Sequence, residues 1–270
     1  MHLKTDQLKR LYQGYLNTPL LWNSSSVLGL DQLHLPDDEF IEFKRLLHRT
    51  LRLGQLAEQF AFNQIENLRD CEILAENIQI QKEKQTLGEL DALLEIGNNR
   101  IHLEIIYKFY LYDASLGKSE IEQWIGPNRN DSLIEKITKL KTKQLPLLHS
   151  SECKSTLEEF NVHNKDFQQC VLFKAQLFIP YQQSVEFNLL NKDCVCGFYL
   201  NKQQLVEFNT SEFYVPSKLD WFLEVDNSVD WVDMETFKIK TEAFLKQSKS
   251  PLIWIKMPDG TILKSFLVWW

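Results

Sequence analysis

The sequence predicts an α/β protein: a mixed central sheet flanked by helices, with a helical N-terminal extension and a strand-rich C-terminal extension. Two observations carry this. Residues 51–181 read in the order helix, strand, strand, strand, helix, strand, which places helices on the faces of a mixed sheet. Residues 182–270 then add strand-like runs, among them LIWIKM and TILKSFLVWW on either side of Pro258-Asp259-Gly260, a favoured hairpin-turn composition. No internal repeat or low-complexity linker interrupts the chain. The expected organisation is an extension over 1–50, a core over 51–181, and a C-terminal α/β extension over 182–270 that continues the same domain.

Residues 1–50 carry helical periodicity at Leu8, Leu11 and Leu16, and again at Phe40, Phe43, Leu46 and Leu47, separated by loop-like segments. The cluster Lys44, Arg45, His48, Arg49 and Arg52 reads as a solvated helix face and is given no role. Leu51 to Leu68 form a longer, largely buried helix. At 100° per residue Glu58 falls inside its apolar stripe, where an unpaired carboxylate is expensive. Residues 71–81 alternate as a strand that runs into the polar turn QKEKQ.

The central stretch is 87–108, LGELDALLEIGNNRIHLEIIYK. Its two apolar runs flank Gly97-Asn98-Asn99 and read as a hairpin. Side chains alternate along a strand, so Glu104, Ile106 and Lys108 share one face and Asp91 comes alongside from the neighbouring strand. Two carboxylates and an ammonium would converge there. A loop containing WIGPNRN follows, and Asp131 or Ser132 can cap the next helix. That helix buries Leu133, Ile137, Leu140 and Leu148. Gln144 shares the stripe and so needs a polar partner. Lys136, Lys139, Lys141 and Lys143 make the same helix basic, suited to phosphate contacts or to plain solvation. The core closes with a strand at Cys170 to Tyr181. Beyond it lie a strand at Val195 to Leu200 and a helix around Glu235 to Lys246.

Composition narrows the function. Among 270 residues, 30 basic against 37 acidic side chains give a net charge of −7, which argues against a polyanion binder working through bulk charge. No apolar run approaches a membrane span, and the N-terminus lacks a leader-like pattern, so the expected compartment is the cytoplasm. Five scattered cysteines lack the pairing of a zinc site or a disulfide framework. Cys194 and Cys196 read as cysteines packed on a strand. His102 alternates with Glu104 and reads as a satisfied structural histidine, with a place beside a metal as the sharper option.

The helix with Gly54 and Glu58, the GELD strand ending at Asp91, the LEIIYK strand and the helix with Gln144 resemble, in order, the PD-(D/E)XK nuclease superfamily. The likeness covers about half the chain. In more detail the sequence is similar to a bacterial family still classed as a domain of unknown function, through the blocks LGQLAE, GELD, LEIIYKFYL, WIGPNRND and QLPL. The resemblance implies a PD-(D/E)XK-like, restriction endonuclease-like core. It also implies a Mg²⁺ (or Mn²⁺) ion held by Asp91, Glu104 and the main-chain carbonyl of Ile105, hard oxygen donors suited to such an ion. Glu58 would support the metal shell, Gln144 would brace the site, and Lys108 would orient water or neutralise charge. Arg129, Lys136, Lys139 and Lys143 are the expected contacts to a nucleic acid, DNA or else RNA. The usual lysine stands two residues after the second acid, where this chain has Ile106. Lys108 keeps the strand face but lies about 6–7 Å further along, so either it reaches back, or Lys136 substitutes, or the site binds without cutting. A tyrosine four residues after the glutamine, typical of exonuclease-type members, is Leu148 here. The expectation is a metal-dependent phosphodiester hydrolase. The alternative is a catalytically degenerate nuclease-fold module that binds nucleic acid or a protein partner.

Overall fold

The computed structural model describes residues 5–36, 42–159, 162–163 and 167–270. In chain order, α1 (Thr5–Asn17) precedes the short strands β1 (Ser26–Val27) and β2 (Leu30–Gln32). Then come α2 (Leu53–Glu66) and the long strands β3 (Cys71–Lys82), β4 (Gln85–Ile96) and β5 (Asn99–Tyr112). After β6 (Trp124–Ile125), a continuous helical run comprises α3 (Leu133–Lys139), a π turn (Leu140–Gln144) and α4 (Leu145–Leu147). It is followed by α5 (Ser151–Glu159) and β7 (Phe167–Pro180). The remaining elements are β8 (Val195–Asn201), β9 (Glu212–Tyr214), α6 (Met234–Lys246), β10 (Leu252–Lys256) and β11 (Ile262–Val268). The class is mixed α/β, with mixed sheets flanked by helices. Among the described residues no helix is long and apolar enough to cross a membrane.

The residues group into two compact units, each discontinuous in sequence. The first takes a short N-terminal piece ending at Lys9, Leu20–Tyr107 and Glu135–Lys174; the second takes Arg10–Pro19, Lys108–Ile134 and Ala175–Trp270. Strand β5 thus belongs to the first unit up to Tyr107, and β7 up to Lys174.

In the first unit, β3 and β4 pair antiparallel along their whole length, from Cys71↔Ile96 to Lys82↔Gln85. Strands β4 and β5 form the expected hairpin, closing at Ile96↔Asn99 with Gly97 at φ +58°, a left-handed conformation that glycine adopts without a Cβ clash. Strand β2 pairs parallel with β7, which makes the sheet mixed. Residues Ile101–Tyr107 are buried without a break, because β5 is covered on both faces. On one side α5 contributes Cys153 and Leu157 to a cluster with Ile78, Ile80 and Leu90. Helix α2 buries Leu56, Phe60 and Ile65 completely, as its apolar circumference requires.

The expected helix through Phe43, Leu46 and Leu47 does not form in the described residues 42–52, while Phe40 lies outside the described residues. The segment is instead strapped along α2. Asn63, fully buried, accepts the Lys44 amide at 2.8 Å and donates to the Glu42 carbonyl at 3.1 Å. Phe43 packs edge-on against Phe60, and Arg45 pairs with Glu66 and Glu76. Leu46 is left 80% exposed, so the apolar spacing that suggested a helix buries nothing there. The small β1–β2 ribbon (Val27↔Leu30) lies between the two segments read as loop-like, 17–26 and 35–39, in a stretch to which the sequence assigns no element.

In the second unit, β8 and β11 run parallel and β9, β10 and β11 antiparallel, again a mixed sheet. Phe213 and Phe237 stack at 4.3 Å between centroids in its core, which brings α6 onto the sheet. The β10–β11 hairpin forms as expected, but its loop spans Met257–Thr261, with Gly260 at φ +87°.

Candidate functional site

The site lies in the first unit, where the β4–β5 ladder stops. Backbone pairing runs from Ile96↔Asn99 to Ala92↔Leu103, and the next step would place Asp91 opposite Glu104. There the Asp91 carboxylate replaces a ladder carbonyl and accepts the Ile105 amide at 2.8 Å. The hairpin alternation thus delivers both acids, and Asp91 is fixed by main chain rather than by a flexible partner.

Glu104 is completely buried. Its Oε2 accepts a short hydrogen bond from the Gln144 amide, while Oε1 has no hydrogen-bond partner. A buried carboxylate oxygen left unpaired carries a desolvation cost that ordinary cores avoid. Gln144 closes the π turn, in which the Leu145 amide bonds to the Leu140 carbonyl. Pro146 follows and has no N–H to continue a regular helix. Gln144 Oε1 in turn accepts from Lys136 Nζ at 2.8 Å, so lysine, amide and acid form one chain.

Electrostatics join Glu58 to this group. Burial first, then the Asp91, Glu89 and Glu104 charges, push Glu58 up to about 8 against the opposing Lys136. Asp91 is pushed up to about 7, chiefly by burial and by Glu104, in spite of the Ile105 hydrogen bond and Lys136. Burial also raises Glu104 to about 7, with Lys136 and Lys139 pulling the other way. Acids that burial and like charge hold partly protonated near neutral pH are poised to exchange protons for a cation. The hard-oxygen donor set and the unpaired Oε1 of Glu104 fit a Mg²⁺-type ion. Among the described residues, however, no group of three or more His, Cys, Asp or Glu is arranged to enclose a metal.

The sequence-predicted residues divide clearly. Glu58, Asp91, Glu104, Gln144 and Lys136 are brought together, and Lys139, exposed, acts on Glu104 through its charge. Lys143 is exposed on the π turn. Lys108 and Arg129 belong to the second unit, where Lys108 Nζ pairs with Asp131 at 2.6 Å. Arg129 pairs with Asp113 at 2.8 Å and lies over the Trp270 ring. The sequence reading passed over Glu89, although it lies two residues before Asp91, the spacing that puts both on one strand face. It also missed Gln169 on β7, whose amide reaches His102 Nδ1 at 3.0 Å and the Leu145 carbonyl. No local pattern marks Gln169, since its partners are 67 and 24 residues away.

A family model described as a domain of unknown function (DUF1853) matches residues 9–265. The chain belongs to this family. The match agrees with the short sequence blocks quoted above and takes in every residue of the candidate site. No curated protein matches the chain, and no solved structure matches it.

Proposed function

We propose that this chain is a Mg²⁺-dependent nuclease of the PD-(D/E)XK type, hydrolysing phosphodiester bonds in DNA or RNA. The observation that carries the reading is the convergence of Asp91, Glu104 and Glu58 beside Lys136 and Gln144, with Oε1 of the fully buried Glu104 unpaired. Such a group costs stability and repays it by binding a cation.

Asp91, Glu104 and the Ile105 carbonyl would hold the ion, which when bound supplies Lewis acidity and an acidified water at neutral pH. The chain's own groups do the rest. The Ile105 amide fixes Asp91, and Gln144 fixes one oxygen of Glu104. Lys136 anchors Gln144 and sets a positive charge beside the acids, the role in which it would replace the lysine that Ile106 displaces. Lys139 and Lys143, exposed on the same helical run, would meet the phosphate backbone.

With Mg²⁺ or Mn²⁺, the purified chain should cut at least one of single-stranded DNA, double-stranded DNA or RNA. Asp91→Ala and Glu104→Ala should abolish cutting while the circular dichroism spectrum is kept. Metal-independent cleavage, or full activity in both variants, would sink the proposal. A second reading, a nuclease-fold module that binds without cutting, is favoured by the engagement of Lys108 with Asp131. It expects Mg²⁺-dependent retention of nucleic acid with no product.

A further inference from the structure

Glu104 has two oxygens, and the reading above accounts for only one of them. Oε2 is taken by Gln144, whereas Oε1 faces His102 Nε2 at 3.4 Å, both groups fully buried and neither atom in a hydrogen bond. Which of these atoms carries a hydrogen is decided on the far side of the ring. Gln169 Nε2 meets the Leu145 carbonyl oxygen, which only accepts, so this atom is the amide nitrogen and not its oxygen. The same nitrogen's other hydrogen then points at His102 Nδ1, 3.0 Å away, making Nδ1 an acceptor. A neutral imidazole that accepts at Nδ1 carries its hydrogen at Nε2.

We propose that His102 is the positioning residue for Glu104. Gln169 locks the Nε2–H tautomer, and Nε2–H faces Oε1, so that the carboxylate is bracketed by His102 on one oxygen and Gln144 on the other. The bracket sets the plane of the carboxylate, the orientation in which it would be offered to a hard divalent cation. Leu145 ends the π turn that also presents Gln144, so one short helical irregularity anchors both arms. Residues behind a ligand that fix its orientation change metal affinity about 10–100-fold when removed. The inference rests on the metal-site reading of Glu104, but its tautomer can be read without metal.

The test has two arms. In metal-free protein, long-range ¹⁵N–¹H NMR should show His102 as the Nε2–H tautomer. Its Hε2 resonance should shift in Glu104→Gln, and Gln169→Leu should release the tautomer preference. An Nδ1–H ring, or an Hε2 resonance indifferent to Glu104→Gln, would overturn the assignment. In the second arm, Mg²⁺ titration calorimetry should show binding weakened about tenfold or more in His102→Phe and largely restored in His102→Gln, whose amide can donate toward Oε1. Equal Mg²⁺ affinity in wild type and His102→Phe would overturn the positioning role. If wild-type protein takes up no Mg²⁺, the nuclease reading fails, while the NMR arm still decides the pairing of His102 with Glu104.

Discussion

At the scale of single residues, the raised acids tie function to stability. Glu58 is held near 8, Asp91 and Glu104 near 7, all above their ordinary range and all chiefly by burial. The folded protein therefore binds more protons than the unfolded chain from about pH 4 to pH 8. Stability from these groups falls as pH rises through that window and levels off above it. His102, pushed down to about 4 by burial, has the opposite sign, losing stability as pH falls below its ordinary 6.5. Between pH 6.5 and 8 the three acids outweigh the opposing groups, which are the tail of His102 titration and the lysines Lys218 and Lys264 that burial lowers to about 8. Without divalent cations, chemical denaturation should show the protein less stable at pH 8 than at pH 6.5, and Glu58→Gln should flatten that slope and stabilise the protein at pH 8 by about 1–3 kcal/mol. Mg²⁺ should restore stability at pH 8 in the wild type. A pH-independent midpoint across this range would mean the acids are not held as described.

At the scale of elements, Asn63 ties the backbone of the strap to α2. Asn63 satisfies a backbone N–H and a backbone C=O of a segment with no regular structure. Asn63→Leu keeps the volume but orphans both groups, and should cost about 1–3 kcal/mol in denaturation while opening residues 42–50 to limited proteolysis. An unchanged midpoint and unchanged cleavage would remove Asn63 from that role. The same residue shows where sequence reasoning stops. The β4–β5 hairpin was legible because alternation, a Gly-Asn turn and two misplaced acids all lie within 22 residues. The strap was not, because the apolar spacing at Phe43, Leu46 and Leu47 suits a helix, and only the tertiary bonds to Asn63 and the ion pairs of Arg45 decide against one. Glu58 and Gln144 were found as polar residues in apolar stripes. Gln169 and the His102 tautomer depend on contacts across the sheet that no local pattern records.

At the scale of the whole molecule, buried charge alone does not mark a site, and each unit must be judged on partners. In the second unit Lys264 is buried, and burial pushes it down to about 8. Yet its ammonium gives one hydrogen bond each to Gln176 Oε1, the Trp221 carbonyl and the Leu223 carbonyl, which uses all three of its hydrogens. That charge is explained by its surroundings. Glu104 is not, since its Oε1 meets only His102 Nε2 at 3.4 Å and three further carboxylates act on the same small volume. On the proposed reading, the net charge of −7 sharpens the contrast, since a chain with no general excess of positive charge would rely on a bound cation to bring a phosphodiester to these acids. The most direct measurement is Mg²⁺ titration calorimetry of the full chain at pH 7 in two buffers of different ionisation enthalpy. Saturable uptake should release protons, because Glu58, Asp91 and Glu104 are partly protonated there, and uptake should be lost in Asp91→Asn and Glu104→Gln. No uptake of Mg²⁺ or Mn²⁺ at millimolar concentration, or uptake unaltered in both variants, would contradict a cation site at Asp91 and Glu104.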